Sequence, residues 1–76
     1  MMLQDQVQDL LEQAFPGGVV TVDDFGGGDH LSAYVRSERF EGLPLLAQHK
    51  LVYEPVQHLL DDGSIHALKI KTEASS

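Results

Sequence analysis

Cysteine and tryptophan are absent from this chain of 76 residues, and the lack of cysteine excludes several kinds of chemistry. Without a thiol the chain forms no disulfide, supplies no thiolate nucleophile and builds no zinc site that uses cysteine. Any metal centre that needs sulfur must therefore take that sulfur from another molecule. A reducing compartment agrees with this composition.

Basic residues are also scarce, because five lysines and arginines stand against twelve aspartates and glutamates, for a net charge of −7. Nonspecific binding to phosphate backbones depends on basic side chains that release counterions, so nucleic acid begins as a weak hypothesis. No apolar run approaches the length that spans a bilayer. The N-terminal segment lacks the basic start and long apolar core of a signal peptide. We therefore expect a cytoplasmic protein without a membrane partner.

What the chain does contain is the composition of a globular domain, with 42% hydrophobic residues. A chain of this length buries only about 60% of the surface that its unfolded form exposes, which leaves room for one core. We expect a single domain over residues 1–76. Residues 73–76 are predicted to be a frayed tail.

Periodicity and chain-breaking residues predict the element order α-β-β-α-α-β. Apolar residues at three- and four-residue spacing from Leu3 to Ala14 predict a helix, which ends at the Pro-Gly-Gly of residues 16–18. Segments 19–25, 31–36 and 65–72 are β-branched or alternate in polarity, as strands do. Two helices precede the last strand. The first carries Leu45, Leu46 and His49 on one face, and the second begins near Pro55 and ends at Gly63.

The last strand follows helices rather than a tight turn, so it can return by a crossover and pair parallel to the second strand. The fold class is therefore α+β, with a three-stranded mixed sheet and helices on one face. Alternation leaves Tyr34, Arg36, Lys69 and Lys71 on the opposite, open face.

The glycines at 26–28, which precede His30, allow three interpretations. A phosphate cradle would need a helix N-terminus or a Lys-Ser/Thr pair after the loop, and a strand pattern follows instead. A hairpin turn explains the glycines, since glycine adopts positive φ without a steric cost, but it leaves His30 unexplained. A histidine at the rim of such a loop would be exposed and free to coordinate.

Three segments together resemble the BolA-like protein family: FEG at 40–42, QHKLVY at 48–53 and IHALKIKT at 65–72. The pairing of the last two at this separation is the most specific part. The loop GGGDH at 26–30 is similar to the histidine-containing version of the family's first hairpin, where other members carry cysteine. The resemblance implies an α-β-β-α-α-β fold of KH-like topology with the last strand parallel to the second, in agreement with the periodicity.

The resemblance implies a non-enzymatic partner of monothiol glutaredoxins in iron–sulfur cluster trafficking and iron homeostasis. By the same resemblance His66 and His30 are ligands of a shared 2Fe-2S cluster, with a glutaredoxin cysteine and a glutathione thiol as the other ligands and no cofactor in the isolated chain. Imidazoles replace two thiolates on one iron of Rieske centres. If the second and third strands are parallel neighbours, about 4.8 Å apart, both histidines stand at the same end of the sheet.

Each histidine also has a plainer interpretation. His66 shares strand parity with the apolar residues that follow it, which by itself favours a hydrogen-bonded histidine at the margin of the core. His30 by itself is an exposed loop residue, and Asp29 beside it is interpreted as a turn residue. His49 is predicted to be half-buried and structural, with a role as an alternative ligand kept open, and His58 is predicted to be solvated.

The alternative function is a KH-like nucleic-acid-binding transcriptional regulator that uses Arg36, Lys69, Lys71 and Tyr34 on the open sheet face. A KH site needs a GXXG loop, and the corresponding turn at residues 42–45 lacks the second glycine. An enzyme has the least support, because no Ser-His-Asp or paired-carboxylate arrangement follows from the element order. Which glutaredoxin is bound, and whether the free chain forms a homodimer, stay open at this point.

Overall fold

A computed structural model describes residues 2–75 and has the predicted α+β architecture. Its helices are α1 (Leu3–Ala14), α2 (Leu45–Tyr53) and α3 (Gln57–Asp61), and its strands are β1 (Val19–Gly26), β2 (His30–Ser37) and β3 (Ala67–Ala74). Short 3-10 turns occupy Glu38–Phe40 and Glu54–Val56. Among the described residues, no helix combines the length and apolar character needed to cross a membrane.

The three strands form one mixed sheet in the order β1-β2-β3. β1 and β2 are antiparallel, whereas β2 and β3 are parallel, with Leu31 opposite Leu68 and Ala33 opposite Ile70. The predicted topology is therefore confirmed. Helices cover one face of the sheet, and the core between them consists of Val7, Leu11, Phe15, Val22, Leu31, Ala33, Val35, Phe40, Val52, Val56, Leu59 and Ile65.

Helix α1 packs along β1, one of the two edge strands of the sheet. Its Val7 and Leu11 are fully buried. Two glutamines on the same helix bind the outer backbone groups of β1: Gln4 donates to the carbonyl of Val22 (2.8 Å), and Gln8 donates to the carbonyl of Val20 (2.7 Å). These contacts satisfy part of the free edge, which would otherwise be available to pair with another strand.

The hairpin between β1 and β2 turns through Gly27 and Gly28, whose φ angles are 70° and 83°. Both angles lie in the left-handed region that favours glycine. The carboxylate of Asp24 accepts hydrogen bonds from the backbone N–H groups of Gly26 (2.8 Å) and Gly28 (3.3 Å) and so holds the turn. The hairpin interpretation of the glycine run is confirmed.

The prediction that Leu45 and Leu46 lie on the buried face of α2 is wrong. Leu45 and Leu46 are 60% and 70% exposed, while Val52 is fully buried. Gln48, one helical turn before Val52, accepts a hydrogen bond from the Thr72 hydroxyl of β3 at 2.6 Å. The helix is therefore rotated so that its Gln48–Val52 side meets the sheet, which turns the two leucines toward solvent.

Strand β3 begins and ends two residues later than predicted, at Ala67 and Ala74. Glu73 pairs with Arg36 of β2, and the backbone N–H of Ser75 donates to the carbonyl of Ser37 at 3.2 Å. The predicted fraying of residues 73–76 is therefore wrong for residues 73–75, because backbone pairing with β2 continues through them. Ser76 lies outside the described residues.

Candidate functional site

His30 and His66 lie together at the end of the sheet where β2 and β3 begin. His30 is the first residue of β2 and pairs with Ala67, and His66 directly precedes β3. Their ring centroids are 6.1 Å apart, and the ring planes differ by 11°. The proximity expected from parallel pairing is confirmed, whereas the role of the two side chains as ligands stays a prediction.

Buried neighbours hold each histidine in place. Leu31, next to His30, is fully buried, and Ile65, next to His66, is 3% exposed. Because side chains alternate along a strand, the inward direction of Leu31 turns His30 away from the core, whereas His66 lies at a bend between Ile65 and β3. The backbone N–H of His66 donates to the carbonyl of Asp29 at 2.9 Å, which ties the start of β3 to the hairpin.

Asp29 bridges the two imidazoles. Its Oδ1 atom lies 2.7 Å from Nδ1 of His30, and its Oδ2 atom lies 2.6 Å from Nδ1 of His66. The hydrogen bond from His30 is the main reason that the pKa of the Asp29 carboxyl lies below its usual value; desolvation opposes it, and the hydrogen bond from His66 adds to it. We call Asp29, His30 and His66 the histidine cluster.

Asp29 lies in the turn between β1 and β2, as predicted, but the sequence does not predict that it bridges the two histidines. Its position directly before a histidine was a local signal. The second contact, to His66, spans 37 positions of the chain and arises only when β3 pairs with β2.

Both histidines are accessible, with side-chain exposures of 45% for His30 and 66% for His66. The interpretation of His66 as a residue at the core margin is therefore wrong. Strand pairing begins at Ala67, one residue after His66, so the strand parity that predicted an inward direction does not apply to it.

An aromatic ring and a cation flank the histidine cluster. The ring of Phe25, which is 44% exposed, meets His30 edge-on at 5.8 Å between centroids. Nζ of Lys69 lies 4.4 Å from the centre of the Phe25 ring. The sequence did not single out Phe25, since an aromatic residue at a strand end is usually read as part of a core.

The other two histidines stand apart from this cluster. His49 lies half-buried in α2, as predicted, and His58 is exposed in α3, also as predicted. Within residues 2–75 no group of three or more histidine, cysteine, aspartate or glutamate side chains is arranged to hold a metal ion.

The open sheet face carries the four residues proposed as nucleic-acid contacts. Tyr34 and Lys71 are opposite each other in the register of β2 and β3, and Arg36 and Lys69 are exposed on the same face. Glu73, however, stands opposite Arg36 in the register of β2 and β3 and lies on the same face. Desolvation is the main cause that raises the pKa of Tyr34, and the charge of Glu73 adds to it. A carboxylate among the basic side chains weakens the attraction of this face for phosphates.

A cavity of about 210 Å³ lies at the other end of β2, between residues 16–18, residues 37–39 and Ser75. It is lined by no histidine. The histidine cluster, by contrast, lies on an exposed rim of the sheet.

Comparison with known proteins covers most of the chain. A family model described as BolA-like protein matches residues 17–76. An uncharacterised protein of Rickettsia prowazekii is 32% identical over 69 residues, or 90% of this chain and 88% of the relative. A bol-like protein from Babesia bovis superposes with a TM-score of 0.83 at 28% identity, covering 97% of this chain and 86% of the other. BolA1 from Arabidopsis thaliana has a TM-score of 0.82 at 25% identity, covering 93% and 89%.

Proposed function

This chain belongs to the BolA-like protein family, and we propose that it is a non-enzymatic partner of monothiol glutaredoxins. It shares a 2Fe-2S cluster with the glutaredoxin through His66 and His30, in iron–sulfur cluster trafficking and iron homeostasis. The observation that carries the proposal is the histidine cluster, in which two exposed imidazoles stand side by side with both Nδ1 atoms bound to Asp29.

The donor set fits a shared cluster rather than one held by this chain alone. The sequence contains no cysteine, so the chain can offer two imidazole nitrogens from the histidine cluster but no thiolate. Histidine pairs replace cysteine pairs on one iron of Rieske centres. In this proposal the remaining ligands are the glutaredoxin cysteine and a glutathione thiol, and the 2Fe-2S cluster is cargo rather than a resident cofactor.

The surroundings of the histidines are suited to a protein partner. Both side chains lie on an exposed rim, where a second protein can reach them without opening a pocket. The exposed ring of Phe25 beside His30 offers apolar area next to the ligands, and aromatic rings are enriched at the centres of protein interfaces.

Visible circular dichroism of a mixture with a cluster-loaded monothiol glutaredoxin and glutathione tests the proposal. We expect the cluster spectrum to change as this protein is added, and a one-to-one complex to appear in native mass spectrometry. The His58→Ala variant, altered at an exposed histidine outside the histidine cluster, should behave as wild type. An unchanged spectrum with excess folded protein would contradict the proposal.

A parallel titration with duplex DNA at increasing salt tests the alternative function. A salt-dependent mobility shift that disappears in a Lys69→Glu, Lys71→Glu double variant, together with no change in the cluster spectrum, would favour nucleic-acid binding instead.

A further inference from the structure

We propose that Asp29 is a positioning residue that binds both imidazoles at Nδ1 and fixes His66 as the Nδ1–H tautomer, which keeps the Nε2 lone pair of His66 available as a ligand. The role of the free lone pair as a ligand rests on the proposed function. The tautomers are a property of the free protein and can be measured without a partner. Asp29 acts through the two imidazoles, each of which takes one of its carboxylate oxygens.

Two acceptors place the proton of the neutral His30 ring on Nδ1. Nδ1 lies 2.7 Å from Oδ1 of Asp29 and 3.1 Å from the carbonyl oxygen of Gly26. A carbonyl oxygen can only accept a hydrogen bond, so Nδ1 of His30 must donate. A neutral imidazole carries a single N–H, and therefore Nε2 of His30 keeps its lone pair.

His66 depends on Asp29 alone. Its Nδ1 atom lies 2.6 Å from Oδ2 of Asp29, and residues 2–75 give this nitrogen no second partner. The pKa of the Asp29 carboxyl lies below its usual value, chiefly because of the hydrogen bond from His30, so the carboxylate is ionised at neutral pH and can only accept. Nδ1 of His66 must therefore donate, which again leaves Nε2 free.

A carboxylate behind a metal-binding histidine orients the ring and makes it a stronger ligand, and loss of such a carboxylate costs about 10–100-fold in metal affinity. Here one carboxylate serves two rings. The backbone carbonyl of Asp29 also accepts from the N–H groups of His66 (2.9 Å) and Ala67 (3.3 Å), so the residue positions both the ring and the backbone at the start of β3.

The Asp29→Asn substitution separates the side-chain role from the backbone role. Asparagine keeps the shape and the backbone contacts but offers one acceptor oxygen and one NH₂ donor. Because the carbonyl of Gly26 already requires a proton on Nδ1 of His30, the amide oxygen pairs with His30 and the NH₂ group faces Nδ1 of His66. His66 must then accept at Nδ1, so its proton moves to Nε2 and blocks the ligand position.

Two-bond ¹H–¹⁵N spectra of the ¹⁵N-labelled free protein, recorded at about pH 8, distinguish protonated from unprotonated nitrogens in neutral imidazole rings. We expect Nδ1–H for both histidines in wild type. In Asp29→Asn, His66 should switch to Nε2–H while His30 stays unchanged. A wild-type His66 in the Nε2–H form, or no change on substitution, would overturn the proposal.

Asp24→Asn is the matched control. It removes the same charge from the same hairpin, but within residues 2–75 the Asp24 carboxylate accepts hydrogen bonds from the backbone N–H groups of Gly26 and Gly28 and from neither histidine, so both histidines should keep the Nδ1–H form. A His66 switch in this variant as well would attribute the effect to loop charge and contradict a specific role for Asp29.

The same three proteins are then mixed with the cluster-loaded glutaredoxin and glutathione. Asp29→Asn should share the cluster about 10–100-fold more weakly than wild type and Asp24→Asn. If the tautomers respond as expected but wild type takes no cluster, the proposed function fails and the tautomer role stands. If Asp29→Asn shows the tautomer switch and still shares the cluster as wild type does, Asp29 does not position ligands.

Discussion

The helix-covered core and the histidine cluster occupy neighbouring positions of the same chain segments, yet they are built in opposite ways. Leu31 is fully buried and His30 beside it is 45% exposed; Ile65 is 3% exposed and His66 beside it is 66% exposed. The core is stabilised by burial of apolar area, about 25 cal/mol per Å². The histidine cluster is held by hydrogen bonds among exposed polar groups, and the net contribution of these bonds to stability is small. Stability and ligand chemistry should therefore be separable by mutation.

The largest loss of stability should come from the core. Phe40 is fully buried, with its ring 5.2 Å from that of Phe15. Phe40→Ala should lower the free energy of unfolding by about 3–5 kcal/mol, measured by urea denaturation. Under conditions where the variant is still folded, its histidine cluster should keep the wild-type tautomers. A loss below about 1 kcal/mol would show that the ring contributes little to packing.

Removal of His66 should produce the opposite pattern. His66→Ala should abolish or strongly weaken cluster sharing, because an iron loses its ligand, while the free energy of unfolding changes by less than about 0.5 kcal/mol, as for most surface substitutions. Visible circular dichroism and urea denaturation measure the two effects. His58→Ala should alter neither quantity. Equal cluster spectra for His66→Ala and wild type, with both folded, would disprove the ligand assignment.

Substitutions of His30 refine the comparison, because an imidazole and a thiolate at this position would both be able to ligate iron. His30→Ala should weaken cluster sharing, whereas His30→Cys should retain it with a lower reduction potential, because histidine ligation raises the potential of such clusters. Potentiometric titration of the complex measures the shift. If His30→Ala shares the cluster as wild type does, with both folded, the loop does not supply a ligand.

His49 should belong to the structural side of the comparison. It is half-buried in α2, so His49→Ala should lower the free energy of unfolding by about 1 kcal/mol, a typical effect of a single substitution. Cluster sharing should stay at the wild-type level. A variant of unchanged stability that no longer shares the cluster would instead make His49 a ligand.

The smallest effect concerns the turn that leads from α3 toward His66. Hydrogen bonds from the side chain of Ser64 and from its backbone N–H, which lies 2.8 Å from Oδ1, hold the pKa of Asp62 below its usual range. A carboxyl with a lowered folded-state pKa stabilises the fold fully above its unfolded pKa of about 3.9 and loses that contribution as the pH falls through the folded value. Asp62→Ala should therefore flatten the acid limb of a plot of stability against pH. Cluster sharing near neutral pH should be unaffected. Identical acid limbs for Asp62→Ala and wild type would contradict this assignment.

Much of the fold was predictable because its signals are local. Three- and four-residue spacing located α1, β-branched residues located β1, alternation located β2, and the glycines at 27 and 28 marked a turn that needs positive φ. The orientation of α2 was not predictable, since two leucines at its start suggested a buried face. The contact between Gln48 and Thr72 of β3 decided that orientation, and it depends on how the helix meets the sheet.

The sequence by itself determined the element order, the polarity of the two sheet faces and the presence of two histidines at the starts of the two parallel strands. Only the tertiary structure decided that both imidazoles bind one carboxylate, that His66 is exposed, and that β3 runs to Ala74. Periodicity depends on residues that are close together in the sequence, so it can be recognised without the structure. The bridge between Asp29 and His66 depends on a strand register set by distant residues, because a shift of one position in β3 would move His66 out of reach.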